Sequence, residues 1–347
     1  MTIAFFRMLL AHDDWANRKL WDGIHQLTDE QFERELNYSH GALRNQVLHL
    51  ISIAFVWPTR LWHGTDAVRA MLPDWLGRDL PDRAALKTLW DEVSANLRAY
   101  LDTLSDADLT QTFAYDRGDG AKFVHRLDQL LTQVCLHSFD HRVQIMAVLH
   151  EMGVETFNQD LIGYLWSTAP GQDTGNPGAA YFRELFDYNA WATRKLWGLL
   201  NRVSDAQFMQ EMDYSRGRLS TQVRHAMEAE EFFVGLVAGR SAEELEATSL
   251  GRDLTDESPR ALMRERWAAV QDAAQATLAD LTDADLTRTF TLPFGPEGRP
   301  HSGSELLMQA LSHSLDHRAQ IMAMLHRMAV SGFSQDYILY LWERDAK

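Results

Sequence analysis

Fourteen histidines in 347 residues are the first chemical signal in this chain. His137 and His141 stand four apart, and His313 and His317 repeat that spacing. On a helix, such a pair shares one face, one turn apart. Taking about 100° per residue from His137, His141 falls at about 40°, Leu130 and Val148 at about 20°, and Val134 at about 60°. Both imidazoles therefore lie on the apolar stripe that a bundle core would cover. His49 lies in a similar sector of an earlier helix, with Ala42, Ile53 and Val56, and His225 holds the matching place in the second half. Imidazoles in an apolar core are costly unless their nitrogens have partners. A divalent metal would satisfy three at once, and three neutral His with an open position is the layout of a catalytic metal site. A lone H-x-x-x-H pair could equally be hydrogen-bonded core histidine. Its double occurrence, each time with a further core-facing His upstream, favours two metal sites: His49, His137 and His141, then His225, His313 and His317.

The elements that must carry these residues come twice. Trp15-Ala16 and Arg18-Lys19-Leu20-Trp21 recur as Trp191-Ala192 and Arg194-Lys195-Leu196-Trp197, an offset of 191 − 15 = 176. The offset holds to Tyr164-Leu165-Trp166 against Tyr340-Leu341-Trp342. A period this long is a duplicated domain, not a solenoid unit. The Gly/Pro/polar stretch from Ser167 to Gly178 reads as a linker, which divides the chain into residues 1–168, 169–179 and 180–347. In the first copy, apolar periodicity predicts long helices over about 3–27, 42–63, 82–104 and 127–152, and a short one over 158–166. Thr28 and Gln31 have capping-box spacing. Gly64, Gly77, Gly118-Asp119-Gly120 and Gly153 punctuate the joins, and Phe113-Ala114-Tyr115 is the best strand candidate. The fold class is all-α, as two tandem four-helix bundles. The copies are expected to pack as an intrachain pseudo-dimer in place of an isologous dimer.

Other polar residues near the histidines are weaker candidates. Gln144 and Gln320 project one turn beyond the second histidine of each pair, where they could orient a bound group or simply bridge helices. Asp140 and Asp316 lie between the paired histidines and are expected to contact another helix or the linker. Glu228 replaces Ser52 three residues after His225, as a fourth ligand, a general base or part of a solvated acidic run. His125 and His301 are paired, with a loop or capping role expected, and His150 and His326 are read as peripheral. His12, His25, His40 and His63 have no histidine counterpart. Cys135 points about 160° from His137, and its counterpart is Leu311, so it reads as a core residue. The copies also differ at His12-Asp13 against Tyr188-Asn189, Arg44 against Ser220, and Val56-Trp57 against Phe232-Phe233, so the two sites need not be equal.

Composition excludes several classes. Lys+Arg of 33 against Asp+Glu of 49 leaves a net charge of −16, a poor match for a phosphate backbone. A single cysteine allows no intrachain disulfide. No apolar run approaches a membrane span, and Met1 to Leu10 lacks the marks of a signal peptide, so a cytoplasmic protein is expected. The partner expected is a small molecule, with no nucleic acid and no membrane.

The blocks His137-Ser138-Phe139-Asp140-His141-Arg142-Val143-Gln144-Ile145 and His313-Ser314-Leu315-Asp316-His317-Arg318-Ala319-Gln320-Ile321 resemble the DinB-like superfamily. So do Trp15-Ala16-Asn17, Tyr188-Asn189-Ala190-Trp191-Ala192, and Tyr38-Ser39-His40-Gly41-Ala42-Leu43-Arg44 leading into His49. The resemblance covers nearly the whole chain. It implies a four-helix bundle with a divalent metal on three His, here the two triads already named. It also implies metal-dependent transfer chemistry using a low-molecular-weight thiol. Zinc and nickel both suit imidazole. Thiolate delivery to an electrophile is the leading function. Hydrolysis by metal-activated water and a non-catalytic metal-binding or sensing role are the alternatives.

Overall fold

A computed structural model describes residues 1–116, 120–169 and 171–346, with only the backbone at Leu76. Gly118 and Asp119 of the expected joint, and Pro170 of the expected linker, lie outside the described residues. In chain order the first copy folds as α1 (Ile3–Ile24), α2 (Asp29–Glu33), α3 (Leu43–His63), α4 (Thr65–Leu76) and α5 (Arg83–Asp102). A 3-10 turn then leads into strands β1 (Thr112–Asp116) and β2 (Lys122–Arg126), followed by α6 (Leu127–Glu151) and α7 (Leu161–Ser167). The second copy repeats the series as α8 (Ala179–Leu200), α9 (Asp205–Phe208), α10 (Leu219–Val237), α11 (Ala242–Thr248) and α12 (Arg260–Asp280). It ends with β3 (Thr289–Thr291), β4 (Pro300–Ser302), α13 (Gly303–Arg327) and α14 (Tyr337–Asp345).

The fold is all-α, with two bundles of four long helices. In the first, α1, α3, α5 and α6 pack together; in the second, α8, α10, α12 and α13 do. The long helices fall close to their expected bounds. Thr28 and Gln31 make the expected capping box, and Asp82 caps α5 by accepting from Ala85 N–H at 2.9 Å. Phe113-Ala114-Tyr115 lies in β1, which pairs antiparallel with β2 in the register Phe113 to His125. The twelve-residue α4 was not anticipated. It is bounded by Gly64 and Gly77, carries Pro73 within it, and is too short for its periodicity to stand out.

The last long helix of each bundle is buried on nearly every side, which explains why its sequence mixes apolar and polar residues. Its polar groups are engaged. Arg142, 1% exposed, donates to Ser138 Oγ at 2.8 Å and to Asn17 Oδ1 at 3.1 Å, and pairs with Asp13. Arg318 in α13, fully buried, donates to Ser314 Oγ at 2.9 Å, Gln335 Oε1 at 2.9 Å and Asn189 Oδ1. Asp13 of the first copy has become Asn189 in the second. The acid is supplied instead by buried Glu230, whose first-copy counterpart is Ala54. Glu230 accepts from Asn189 Nδ2 and Trp267 Nε1, both at 3.1 Å. In the first copy Asp13 pairs directly with the buried guanidinium; in the second Glu230 reaches Arg318 only through Asn189, and burial raises its carboxyl above the usual range.

The compact units do not follow the division 1–168, 169–179 and 180–347 expected from the repeat. One unit is Met1–Phe157 with Asp336–Lys347, and the other is Asn158–Gln335. The short terminal helices are exchanged: α14, from the second copy, packs on α6, and α7, from the first, packs on α13. Helix α7 has seven residues and buries Leu161, Ile162, Tyr164 and Leu165. Ile162 N–H donates to Gln309 Oε1 at 2.9 Å, and Trp166 Nε1 donates to His301 at 3.2 Å. In the first unit, Ile338 N–H donates to Gln133 Oε1 at 2.7 Å, and Trp342 Nε1 donates to Tyr115 OH at 3.0 Å. His125 bridges that Tyr115 hydroxyl at 2.7 Å and Asp345 at 3.0 Å. His125 and His301 therefore fasten the terminal helices. The segment expected as a linker is tied into the second unit, through Thr174 Oγ1 to Glu305 at 2.7 Å and Asn176 Nδ2 to the Asp283 carbonyl at 3.0 Å.

Candidate metal centre

The second bundle brings the ring nitrogens of its three predicted histidines within 4.8 Å of one another; in the first, His49 and His137 approach each other, but the groups that meet this limit are His40, His49 and His141, and His137, His141 and Asp336. In the second unit α10 carries His225, and α13 carries His313 and His317. The Nε2 atoms of His225 and His313 lie 3.2 Å apart, and those of His313 and His317 lie 3.0 Å apart. The ring centroids are separated by 4.9, 4.7 and 4.2 Å. In the first unit, α3 carries His49 and α6 carries His137 and His141. The Nε2 atoms of His49 and His137 are 3.2 Å apart, with centroids at 5.1, 4.7 and 4.2 Å around the triad. Nitrogens bonded to one tetrahedral zinc at 2.0–2.1 Å would be about 3.3 Å apart. The observed spacings sit close to that edge. At these separations the ring nitrogens either share a proton as donor and acceptor or hold a cation between them, according to tautomer, and His313 Nδ1 is buried with no hydrogen-bond partner among the described residues. The donor set fits a divalent cation.

Electrostatics agree with that fit. Burial drives His49 down to about 4, assisted by His40, and drives His225 down to about 3, assisted by His313, Arg216 and Arg224. Burial also holds His137, His141 and His317 well below the usual histidine range. His313 is lowered by burial, against the opposing effect of Asp160. The imidazoles are neutral at pH 7, the form that ligates a metal.

The loop before the upstream histidine is built by backbone conformation. Gly41 has φ +80°, and a Cβ there would stand 2.3 Å from Glu35 Oε1; Gly217 and Glu211 repeat the arrangement at φ +84° and 2.3 Å. Ser39 donates through Oγ to Gln144 Oε1 at 2.6 Å, and Ser215 to Gln320 Oε1 at 2.5 Å. Gln144 Nε2 in turn donates to Asp140 at 2.9 Å, and Gln320 to Asp316. The two glutamines thus clamp the loops to the last long helix. Gln222 Nε2, on α10, meets His317 Nδ1 at 2.7 Å. Asp316 also accepts from Gln159 Nε2 at 2.8 Å. Glu228 pairs with Arg224 at 2.9 Å and lines a cavity of about 960 Å³ in the second unit. That cavity also reaches His225, His313, Asp160, Arg216 and a wall of Trp166, Phe232 and Phe294.

Three residues missed in the sequence join the sites. His40 stacks on His49 with centroids 3.8 Å apart, and ring nitrogens of His40, His49 and His141 all lie within 4.8 Å of one another. Asp336 forms a second group with His137 and His141 within the same limit. Its repeat counterpart Asp160 accepts from Gln309 Nε2 at 3.1 Å and lines the cavity near His313. The acid beside each triad therefore comes from the exchanged segment. Its equivalence at offset 176 was visible in the sequence, but its destination was not. Cys135 lies away from these groups, and burial pushes its thiol far up.

Helical bundles with a convergent three-imidazole centre, twice in one chain, define a tandem candidate metalloprotein. A family model for the DinB family matches residues 2–177 and again 172–346, and the chain belongs to that family. A crystal structure of a DinB family member protein from Shewanella denitrificans is similar at 19% identity, covering 51% of this chain and 92% of that one, with a TM-score of 0.33. No curated protein matches the chain. Among the described residues, no helix is long and apolar enough to cross a membrane.

Proposed function

We propose that this protein is a divalent-metal-dependent enzyme that joins a low-molecular-weight thiol, as its thiolate, to a small electrophile through the thiol sulfur. The observation that carries the reading is the second triad, whose converging Nε2 atoms, 3.0 to 3.2 Å apart, border a cavity of about 960 Å³. That volume is at the upper end of the range for small-molecule sites. His225, His313 and His317 would hold the metal there, and His49, His137 and His141 in the first unit, with zinc or nickel the best match to imidazole. When bound, such a cation makes a coordinated thiol or water a nucleophile at neutral pH. The Gln222 amide meets the His317 ring at Nδ1; with its oxygen turned to that nitrogen it would accept the Nδ1 proton and leave Nε2 to the metal. Trp166, Phe232 and Phe294 form an apolar wall on one side of the cavity. Cys135 is half-buried and belongs to none of the converging groups, so the reacting thiol comes from solution. A cytoplasmic setting suits this reading, because low-molecular-weight thiols stay reduced there.

Hydrolysis is the second reading, favoured by Asp160 and Glu228 on the same cavity wall, where a carboxylate could accept a proton from water. Cobalt substitution separates the two. Adding 2-mercaptoethanol to the cobalt protein should change its visible spectrum. No change, together with turnover of a simple ester, would replace thiol transfer by hydrolysis. Neither response, with metal bound, would leave a metal-binding protein without catalysis.

A further inference from the structure

The two copies differ at a loop position that faces the metal centre. His40 and Arg216 occupy equivalent places in the repeat, each between a serine and a glycine of positive φ. The φ values are 52° and 80° at Ser39 and Gly41, and 54° and 84° at Ser215 and Gly217. Both serines are held by the same glutamine contact. The loops therefore deliver the two side chains alike. In the first unit the delivered group is an imidazole that stacks on His49 at 3.8 Å. In the second it is a guanidinium on the wall of the cavity that reaches His225 and His313.

Arg216 is exposed and makes no hydrogen bond or ion pair among the described residues, although it stands in the field of Asp160 and Glu228. The neighbouring charges are engaged. Glu228 pairs with Arg224 at 2.9 Å, and Glu231 accepts from Ser249 Oγ at 2.7 Å and from Leu250 N–H at 2.9 Å. Asp160 accepts from Gln309 at 3.1 Å and Asn158 at 2.9 Å. Glu243 and Glu246 are exposed, and Arg252 donates to the Ala247 carbonyl. A guanidinium without its own carboxylate, beside an apolar wall, is a ready anion site, and its planar fork matches a carboxylate.

We propose that the second unit binds a small carboxylate, its anionic end on Arg216 beside the triad and its flat apolar body against Trp166, Phe232 and Phe294. The first unit, with His40 in that place, does not. This names the substrate class for the proposed enzyme and rests on that reading only in calling the ligand a substrate.

The test is calorimetric titration of the full chain with phenylacetate and with its neutral isostere phenylacetamide, in zinc-loaded and chelator-treated protein. The expected result is one equivalent of phenylacetate per chain, bound about tenfold or more tightly than the amide. The preference should persist without metal, vanish in Arg216→Met and be partly kept in Arg216→Lys. His313→Ala should keep it while losing one metal equivalent. Equal binding of the two probes, two equivalents of phenylacetate, no measurable binding, or an unchanged preference in Arg216→Met would overturn the proposal. Metal content, measured separately, distinguishes the two readings. Two bound metals without the preference refute only the carboxylate site. An Arg216-dependent preference in a chain that never takes up metal refutes only the metal enzyme.

Discussion

Truncating Leu341 to alanine should loosen the first half of the chain, although Leu341 belongs to the second sequence copy. Leu341 is fully buried in α14, which packs on α6 in the unit Met1–Phe157 with Asp336–Lys347. Replacing a buried leucine by alanine removes transfer free energy and leaves a cavity, together about 2–5 kcal/mol. Helix α14 has nine residues, so its own hydrogen bonds cannot hold it when that contact weakens. A loss of about 3 kcal/mol raises the local opening equilibrium by about a hundredfold. Hydrogen exchange read by mass spectrometry resolves where this happens. Faster exchange is expected in α14, in the β1–β2 hairpin that holds it through Tyr115 and His125, and in the facing part of α6. Exchange in α13 should be unchanged. The mirror substitution Leu165→Ala, in α7, should loosen α13 and spare α6. If Leu341→Ala instead loosened α13, the terminal helices would pack on their own copies and the exchange described above would be wrong.

Three further outcomes follow from the same geometry. Protein purified without added metal should carry about two equivalents of divalent metal by elemental analysis, and His137→Ala and His313→Ala should each remove one; a variant that keeps both would show that its histidine is not a ligand. In chelator-treated protein, the unfolded chain takes up protons on these histidines below about pH 6.5 while the folded one resists, down to about 4 at His49 and about 3 at His225. Stability should therefore be fully present above about pH 6.5 and fall with acidification through that window, by up to about 1.4 kcal/mol per pH unit for each strongly shifted imidazole. Chemical denaturation at pH 7 and pH 5 measures this, and equal midpoints would refute it. Finally, Glu230→Ala should destabilise the second bundle by about 1–3 kcal/mol, because it leaves the buried Asn189 and Trp267 donors without their acceptor. Adding Asn189→Asp restores the arrangement of the first copy and should recover part of the loss in a denaturant titration.

Much of the site was legible because helix periodicity reports direction. The spacing of His137 and His141 put both on the buried face of α6, and self-comparison at an offset of 176 picked His49 and His225 from the remaining histidines. The same self-comparison set His40 aside. Its counterpart is Arg216, and a loop residue has no period to show where it points. Gln144 and Gln320 were placed correctly on the helix. Their partners, Ser39 and Ser215, lie about a hundred residues away, so their role in clamping the loops appears only once the helices are packed.

The all-α class, the duplication and the helix face that carries the paired histidines follow from the sequence alone, because each depends on local spacing or on matching one half against the other. The exchange of α7 and α14 does not. Both bundles offer a short apolar helix nearly the same seat: Gln133 or Gln309 for its first amide, and His125 or His301 to fasten its tryptophan, directly or through Tyr115. Two such similar seats cannot be told apart by the pattern of the helix that fills them. The path of the chain through space decides which is taken, and with it that Asp336 serves the first triad and Asp160 the second.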